Sequence, residues 1–78
     1  MNPVKEIRES KNLSINEFAK EIGSNQLTIN KVEKGDCLST TYLTIIRKMS
    51  LVFDDIDDAK LIKEYQDWLQ ENDISVKE

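Results

Sequence analysis

Polar side chains lie on one side of the segment from Gln26 to Lys34, in which the apolar residues Ile29 and Val32 recur at helical spacing. The outward positions of this predicted helix are Gln26, Leu27, Thr28, Asn30 and Lys31. Glutamine and asparagine can form two hydrogen bonds with the edge of an adenine, lysine can donate to guanine, and leucine or threonine can contact a thymine methyl group. The face therefore has the chemistry to read base pairs in the major groove of DNA, although each residue taken singly also fits the solvated side of a helix.

The surrounding stretch contains the signals of two short helices joined by a tight turn, which would position this face. Ser14 and Glu17 have the spacing of a capping box at the start of the first helix. Gly23 and Gly35 stand where helices often end in the left-handed conformation that glycine adopts at little cost. The predicted helices are residues 15–22 and residues 26–34, the second capped by Ser24 or Asn25.

The chain resembles the family of phage repressors, Cro proteins and their bacterial relatives along the run LSINEFAKEIGSNQLTINKVEKG. The usual form of that family is L-S-x-x-x-L-A-x-x-x-G-x-x-x-x-x-I-x-x-x-E-x-G, and its helix-turn-helix corresponds to residues 14–35 here. Phe18 replaces the usual leucine, and the residues in register are Leu13, Ser14, Ala19, Gly23, Ile29, Glu33 and Gly35. The resemblance extends from about Val4 to Ile56. It implies an all-α, compact five-helix, lambda-repressor-like fold, whose fifth helix is here an extended acidic C-terminal one.

The resemblance also implies roles for charged and polar residues around the two helices. In the family, an arginine at the place of Arg8 pairs with the glutamate at the place of Glu33 and can also direct its guanidinium at a DNA phosphate. The simpler alternative is a solvated arginine that contributes less than about 1 kcal/mol. Because both partners are present, we expect the ion pair. Asn25 and Lys34 flank the base-reading positions and are expected to contact phosphates.

The composition argues against several classes of function. The 78 residues suit one small domain, and the chain has no histidine and a single cysteine, Cys37. Zinc sites, histidine-based catalysis and an intramolecular disulfide are therefore not expected. No apolar run approaches the roughly 20 residues of a membrane span, and the N-terminus lacks the apolar core of a signal peptide. We expect a cytoplasmic protein that is not an enzyme and binds no metal, cofactor, small molecule or membrane.

Charge is distributed unevenly along the chain, whose net charge is −4. Residues 1–50 contain eight Lys/Arg and six Asp/Glu, a net charge of +2, whereas residues 51–78 contain three and nine, a net charge of −6. A DNA-binding domain usually has a clear basic patch. The loop Asp36-Cys37-Leu38-Ser39-Thr40 also lacks the basic residues that many relatives carry there. Tight DNA binding driven by electrostatics alone is therefore not expected.

A fourth helix is predicted from about Thr41 to Met49, with Ser39 or Thr40 as its cap. Its apolar residues recur at helical spacing and would complete the core of a domain that covers residues 1–56. The connection that follows contains several aspartates, which are favourable at the start of a further helix.

The C-terminal segment lies beyond the minimal family domain. Residues 57–72 form a predicted amphipathic helix, which packs either on this domain or on a partner. Leu38, Tyr65 and Trp68 are candidates for a partner interface, since aromatic residues are enriched at interface hot spots. Residues 73–78 are expected to form a flexible tail.

Two functions of different classes are consistent with these features. The leading hypothesis is a sequence-specific DNA-binding transcriptional regulator of Cro or repressor type, from a phage or mobile element. Its helix of residues 25–34 would enter the major groove of a double-stranded operator, and two protomers, as a homodimer, would match two half-sites. The alternative is a phage antirepressor or antitoxin-like module that binds a partner repressor or another protein instead of DNA. The acidic C-terminal segment, the non-basic loop and the exposed Leu27 fit that alternative.

Overall fold

The computed structural model describes residues 1–75, which contain five α-helices. They are α1 (Pro3–Ser10), α2 (Ile15–Ile22), α3 (Gln26–Lys34), α4 (Ser39–Val52) and α5 (Asp58–Glu71). The five-helix, all-α fold expected from the sequence is confirmed, and α2 and α3 begin and end at the predicted residues. None of these five helices is both long enough and apolar enough to span a membrane.

Capping explains why α2 begins and ends where it does. The hydroxyl of Ser14 accepts a hydrogen bond from the amide of Glu17 at 3.1 Å, and the Glu17 carboxylate accepts one from the amide of Ser14 at 2.9 Å. The predicted capping box is therefore present, and the hydrogen bond from the Ser14 amide lowers the pKa of the Glu17 carboxyl. Gly23 ends the helix with a φ of 72°, in the left-handed region.

The predicted cap of α4 is wrong. Ser39 and Thr40 lie inside the helix, and the capping position is taken by Leu38, whose side chain forms no cap hydrogen bond. The Leu38 carbonyl accepts the first bonds of the helix, from the amides of Thr41 at 3.0 Å and Tyr42 at 3.3 Å. The preference of serine and threonine for a cap amounts to about 1 kcal/mol, so tertiary packing can override it. The helix also continues beyond the predicted Met49, to Val52.

The core lies where α4 meets α2, α3 and α5. Ile46 and Met49 of α4 are fully buried, as are Phe18 of α2 and both Ile29 and Val32 of α3. These two residues of α3 form its inner stripe, so burying them turns the opposite side of that helix outward. Phe53, which follows α4, stacks on Phe18 with ring centroids 6.1 Å apart, and thereby closes the core at the far end of α4.

Helix α5 packs on α1 and α4 of its own domain. Its buried residues are Leu61, Tyr65 and Leu69. The prediction that Tyr65 lies at a partner interface is wrong, because its side chain has no exposed surface. A period of 3.6 residues reveals an apolar stripe on a helix but does not reveal which surface covers the stripe.

The packed domain continues beyond α5. The predicted flexible tail begins at residue 73, but Ile74 packs against the core and its amide donates to the carbonyl of Leu69 at 2.9 Å. Ile74 has this position because Asp73, with a φ of 52°, turns the chain back over the domain. Residues 76–78 of the predicted tail lie outside the described residues.

Candidate functional site

The start of α3 is set by hydrogen bonds on both sides of the turn. The side chain of Asn25 caps α3 by accepting a bond from the amide of Thr28 at 2.9 Å. Before the turn, the ammonium of Lys48 on α4 donates to the carbonyl of Gly23 at 3.1 Å. The first turn of α3 is therefore positioned relative to both α2 and α4.

The predicted base-reading residues lie on the outer side of α3, and we call this set the reading face: Gln26, Leu27, Thr28, Asn30 and Lys31. Gln26, Leu27 and Lys31 are exposed, and Leu27 keeps 65% of its surface accessible. Thr28 and Asn30 are half-buried at the edges of the face. The structure thus brings amide, hydroxyl, ammonium and apolar groups together on one outward helical surface.

A groove lined mainly by polar side chains runs beside the reading face, between α3 and α4. We call it the hydroxyl groove, and its lining residues are Gly23, Ser24, Asn25, Thr28, Thr40, Thr41, Thr44, Ile45 and Lys48. A second groove adjoins it at Thr28 and Thr41 and is lined in addition by Lys31, Asp36, Cys37 and Leu38. Hydroxyl, amide and ammonium groups can all donate to phosphate oxygens.

Sequence reasoning missed most of the hydroxyl groove. The sequence does show that polar residues recur every four positions on one face of α4, at Thr40, Thr44 and Lys48. That spacing shows only that the three residues are neighbours on one helix. Their proximity to Asn25 and Thr28 depends on how α4 packs against α3, and a sequence pattern does not contain that packing.

Arg8 and Glu33 form a buried ion pair. The Nε of Arg8 donates to one carboxylate oxygen of Glu33 at 2.7 Å and an Nη donates to the other at 3.0 Å, while the second Nη donates to the carbonyl of Leu13 at 2.7 Å. The side chains of Arg8 and Glu33 retain 10% and 5% of their exposure. Hydrogen bonding to Glu33 raises the pKa of the guanidinium. Three of the five guanidinium N–H groups are engaged by protein acceptors, so the predicted phosphate contact of Arg8 stays a prediction that depends on the other two.

The other predicted phosphate contacts remain at the surface. Asn25 and Lys34 are both exposed, at opposite ends of α3. The carbonyl oxygen of the Asn25 side chain is engaged in the cap, so its amide nitrogen is the group that can donate to a ligand.

The remaining candidates for a partner interface have different environments. Leu38 is 46% exposed and lines the second groove together with Lys31. Trp68 is half-buried and packs against Tyr65, with ring centroids 5.6 Å apart.

Burial raises the pKa of the Cys37 thiol, which favours its protonated form. Within residues 1–75, no group of three or more Cys, Asp or Glu side chains is arranged to hold a metal ion.

A comparison with known protein families gives a match. The model of a family described as "Helix-turn-helix" matches residues 4–54, which is more than half of the chain. The match covers α2, α3 and α4 in full and all of α1 except Pro3, and it excludes α5. Among curated proteins and among solved structures, no match to this chain was found.

Proposed function

Because the chain belongs to the helix-turn-helix family of DNA-binding regulators of the repressor and Cro type, we propose that it is a sequence-specific transcriptional repressor whose helix α3 reads the major groove. The observation that carries the proposal is the orientation of α3. Its apolar residues Ile29 and Val32 are fully buried, so the core holds the helix from behind and the reading face is left outward. An α-helix with its side chains is about 10–12 Å across, and the major groove is about 12 Å wide.

Each part of the site has a role in this proposal. Gln26 and Asn30 hydrogen-bond to base edges, Lys31 donates to guanine, and Leu27 contacts a thymine methyl group. Asn25 and Lys34 donate to backbone phosphates at the two ends of the helix. The hydroxyl groove adds further donors to phosphate oxygens, which offsets the absence of basic residues in the loop after Gly35.

Repression would be steric and would use two copies of the chain. In a Cro-type arrangement, two protomers place their α3 helices in successive major grooves about 34–36 Å apart on one side of the duplex. The operator then has two similar half-sites, and polymerase is excluded while both protomers are bound. The regulator would act in the cytoplasm of a bacterium, as part of a phage or mobile-element switch.

A protein-binding role is the second candidate, and the exposed leucines favour it. Leu27 and Leu38 are 65% and 46% exposed, and Leu38 borders the groove that also contains Asp36. An apolar and partly acidic surface suits the basic DNA-binding face of another repressor, as in an antirepressor. The family match spans the whole reading face and supports DNA as the ligand in the leading proposal.

Titration against DNA fragments that flank the gene for this protein distinguishes the two functions. Binding should be measured at several salt concentrations, because log K falls with log[salt] by about 0.9 for each phosphate contacted in B-DNA. The proposal requires tight, salt-sensitive binding to one fragment with two similar half-sites. A folded protein that binds none of the fragments at low salt would exclude the repressor and make the partner repressor the next ligand to test.

Replacing Gln26 or Lys31 with alanine is expected to weaken operator binding by about 5-fold to 150-fold, since a good contact to a base edge contributes about 1–3 kcal/mol. Both residues are exposed, so the free energy of unfolding should change little. The matched controls are Gln70→Ala and Lys63→Ala, which remove the same side chains from the exposed surface of α5. Operator affinity that is equal in the α3 and α5 variants would exclude α3 as the reading helix.

A further inference from the structure

One carbonyl in the last turn of α3 accepts three hydrogen bonds. The carbonyl of Val32 accepts from the amide of Gly35 at 3.2 Å, from the side-chain amide of Asn2 at 3.0 Å and from the hydroxyl of Tyr65 at 2.7 Å. The first of these bonds is the normal end of a helix. The other two connect the end of α3 to the cap of α1 and to the middle of α5.

Tyr65 is itself held in place on several sides. Its ring packs against Tyr42 with centroids 4.5 Å apart and against Trp68 at 5.6 Å. The thiol of Cys37 lies 3.6 Å from its hydroxyl. Burial raises the pKa of this hydroxyl, so it stays protonated and able to donate to Val32. The hydroxyl therefore has one well-defined position relative to the end of α3.

The surroundings of Gly35 add a second contact between α5 and the end of α3. An alanine side chain there would lie 2.9 Å from the Trp68 ring and 2.8 Å from the Ile74 side chain. The C-terminal segment is therefore packed closely against the backbone on which α3 ends. The start of α3 is positioned by Asn25 and by the turn after α2. The opposite end is held by α5 together with Asn2 and the Arg8–Glu33 pair.

We propose that Tyr65 is a positioning residue for DNA reading, whose hydroxyl fixes the C-terminal end of α3 and with it the tilt of the reading face. The inference rests on the proposed function. It makes α5, which lies outside the family match, a working part of the DNA-binding apparatus. Asn30 and Lys31 lie in the second half of α3, so a change in tilt displaces them from base edges first.

Positioning and stability have different consequences for binding. If α3 occupies its binding-competent orientation for only a fraction of the time, the apparent dissociation constant rises by the inverse of that fraction. A residue that contributes only to stability leaves this constant unchanged, provided that the protein is fully folded at the temperature of the measurement. The ratio of operator affinity to affinity for unrelated DNA therefore distinguishes a positioning role from a structural one.

The test is Tyr65→Phe, and the matched control is Tyr42→Phe. Both variants remove the hydroxyl of a buried tyrosine in the same cluster. The Tyr42 hydroxyl accepts from the side chain of Gln66 at 3.2 Å and so connects α4 to α5 instead of to α3. In Tyr65→Phe, we expect the operator dissociation constant to rise about fivefold and affinity for unrelated DNA to stay the same. In Tyr42→Phe, we expect both affinities to match those of the wild type.

Amide hydrogen exchange supplies a readout that needs no DNA. In Tyr65→Phe, the amides of Gly35 and Asp36, which donate to Val32 and Lys31, should exchange faster, while the amide of Thr28 at the start of α3 should not change. Equal acceleration along the whole of α3 would indicate global destabilisation and would overturn the positioning role.

The outcomes separate this inference from the function on which it rests. Wild-type protein that binds no operator overturns both. Wild-type protein that binds a specific operator, together with unchanged operator affinity in Tyr65→Phe, overturns the positioning role alone. An equal loss of affinity in Tyr65→Phe and Tyr42→Phe does the same, because only one of these hydroxyls contacts α3.

Discussion

Replacing Gly35 with alanine is expected to lower the free energy of unfolding by about 2–5 kcal/mol, from two separate costs. Gly35 has a φ of 76°, in the left-handed region, where a side chain is unfavourable by about 1–2 kcal/mol. The new methyl group would also lie 2.9 Å from the Trp68 ring. That ring is half-buried and packs against Tyr65, so it must shift to admit the methyl group, and overpacking adds about 1–3 kcal/mol. Urea unfolding of the variant and the wild type measures the total.

Gly23 provides the matched control within the same chain. Its φ of 72° is almost the same as that of Gly35, but a methyl group there would have no atom within 4 Å. Gly23→Ala should therefore show the conformational cost alone, about 1–2 kcal/mol. If both substitutions destabilise the protein equally, Trp68 and Ile74 do not pack over Gly35 closely enough to add a cost. A double-mutant cycle with Trp68→Leu adds a further check, because Gly35→Ala should cost less when the large ring is absent.

The helix-turn-helix segment was the most predictable part of the chain, because its signals are local. The capping box at Ser14 requires a partner only three residues away, and Gly23 and Gly35 end their helices through their own backbone conformation. The orientation of α3 was also predictable, since its buried and exposed residues alternate with a helical period. All of these features depend on neighbours within a few residues.

The role of Tyr65 was not predictable in the same way. Its hydroxyl donates to the carbonyl of a residue 33 positions earlier in the chain. Helical spacing placed Tyr65 correctly on the apolar stripe of α5, but a partner protein and the core of the same domain would both produce such a stripe. The hydroxyl groove was missed for a related reason, because it exists only once α4 has packed beside α3.

Arg8 falls between these two cases. Its distance from Glu33, 25 residues along the chain, gives no local signal, and the pair was predicted from the family pattern alone. The same pattern also suggested a phosphate contact, for which two guanidinium N–H groups are left after the bonds to Glu33 and Leu13. The family pattern thus identified the two partners of the ion pair correctly. It did not reveal the third acceptor of the guanidinium, the Leu13 carbonyl, whose position depends on the folded chain.

Replacing Arg8 with alanine is expected to destabilise the fold by about 3–5 kcal/mol, because it leaves the carboxylate of Glu33 buried and without its cation. The Leu13 carbonyl would lose its donor at the same time. A domain of this length has a total stability of about 4–12 kcal/mol, so the variant would lose a large share of it. The surface pair of Lys63 and Asp67, with side chains 78% and 52% exposed, is the matched control, and Lys63→Ala should cost less than about 1 kcal/mol.

The double variant Arg8→Met/Glu33→Leu separates the value of the pair from the cost of breaking it. Removing both charged groups leaves no unpaired charge in the interior, so we expect the double variant to recover most of the stability that Arg8→Ala loses. Thermal and urea unfolding of the wild type, the single variant and the double variant measure this recovery. A melting temperature unmoved by Arg8→Ala would show that Glu33 is solvated without its partner. A double variant no more stable than Arg8→Ala would instead show that the charge on Glu33 has little influence on the fold. The arginine would then act chiefly through its hydrogen bond to the Leu13 carbonyl, which neither methionine nor leucine can form.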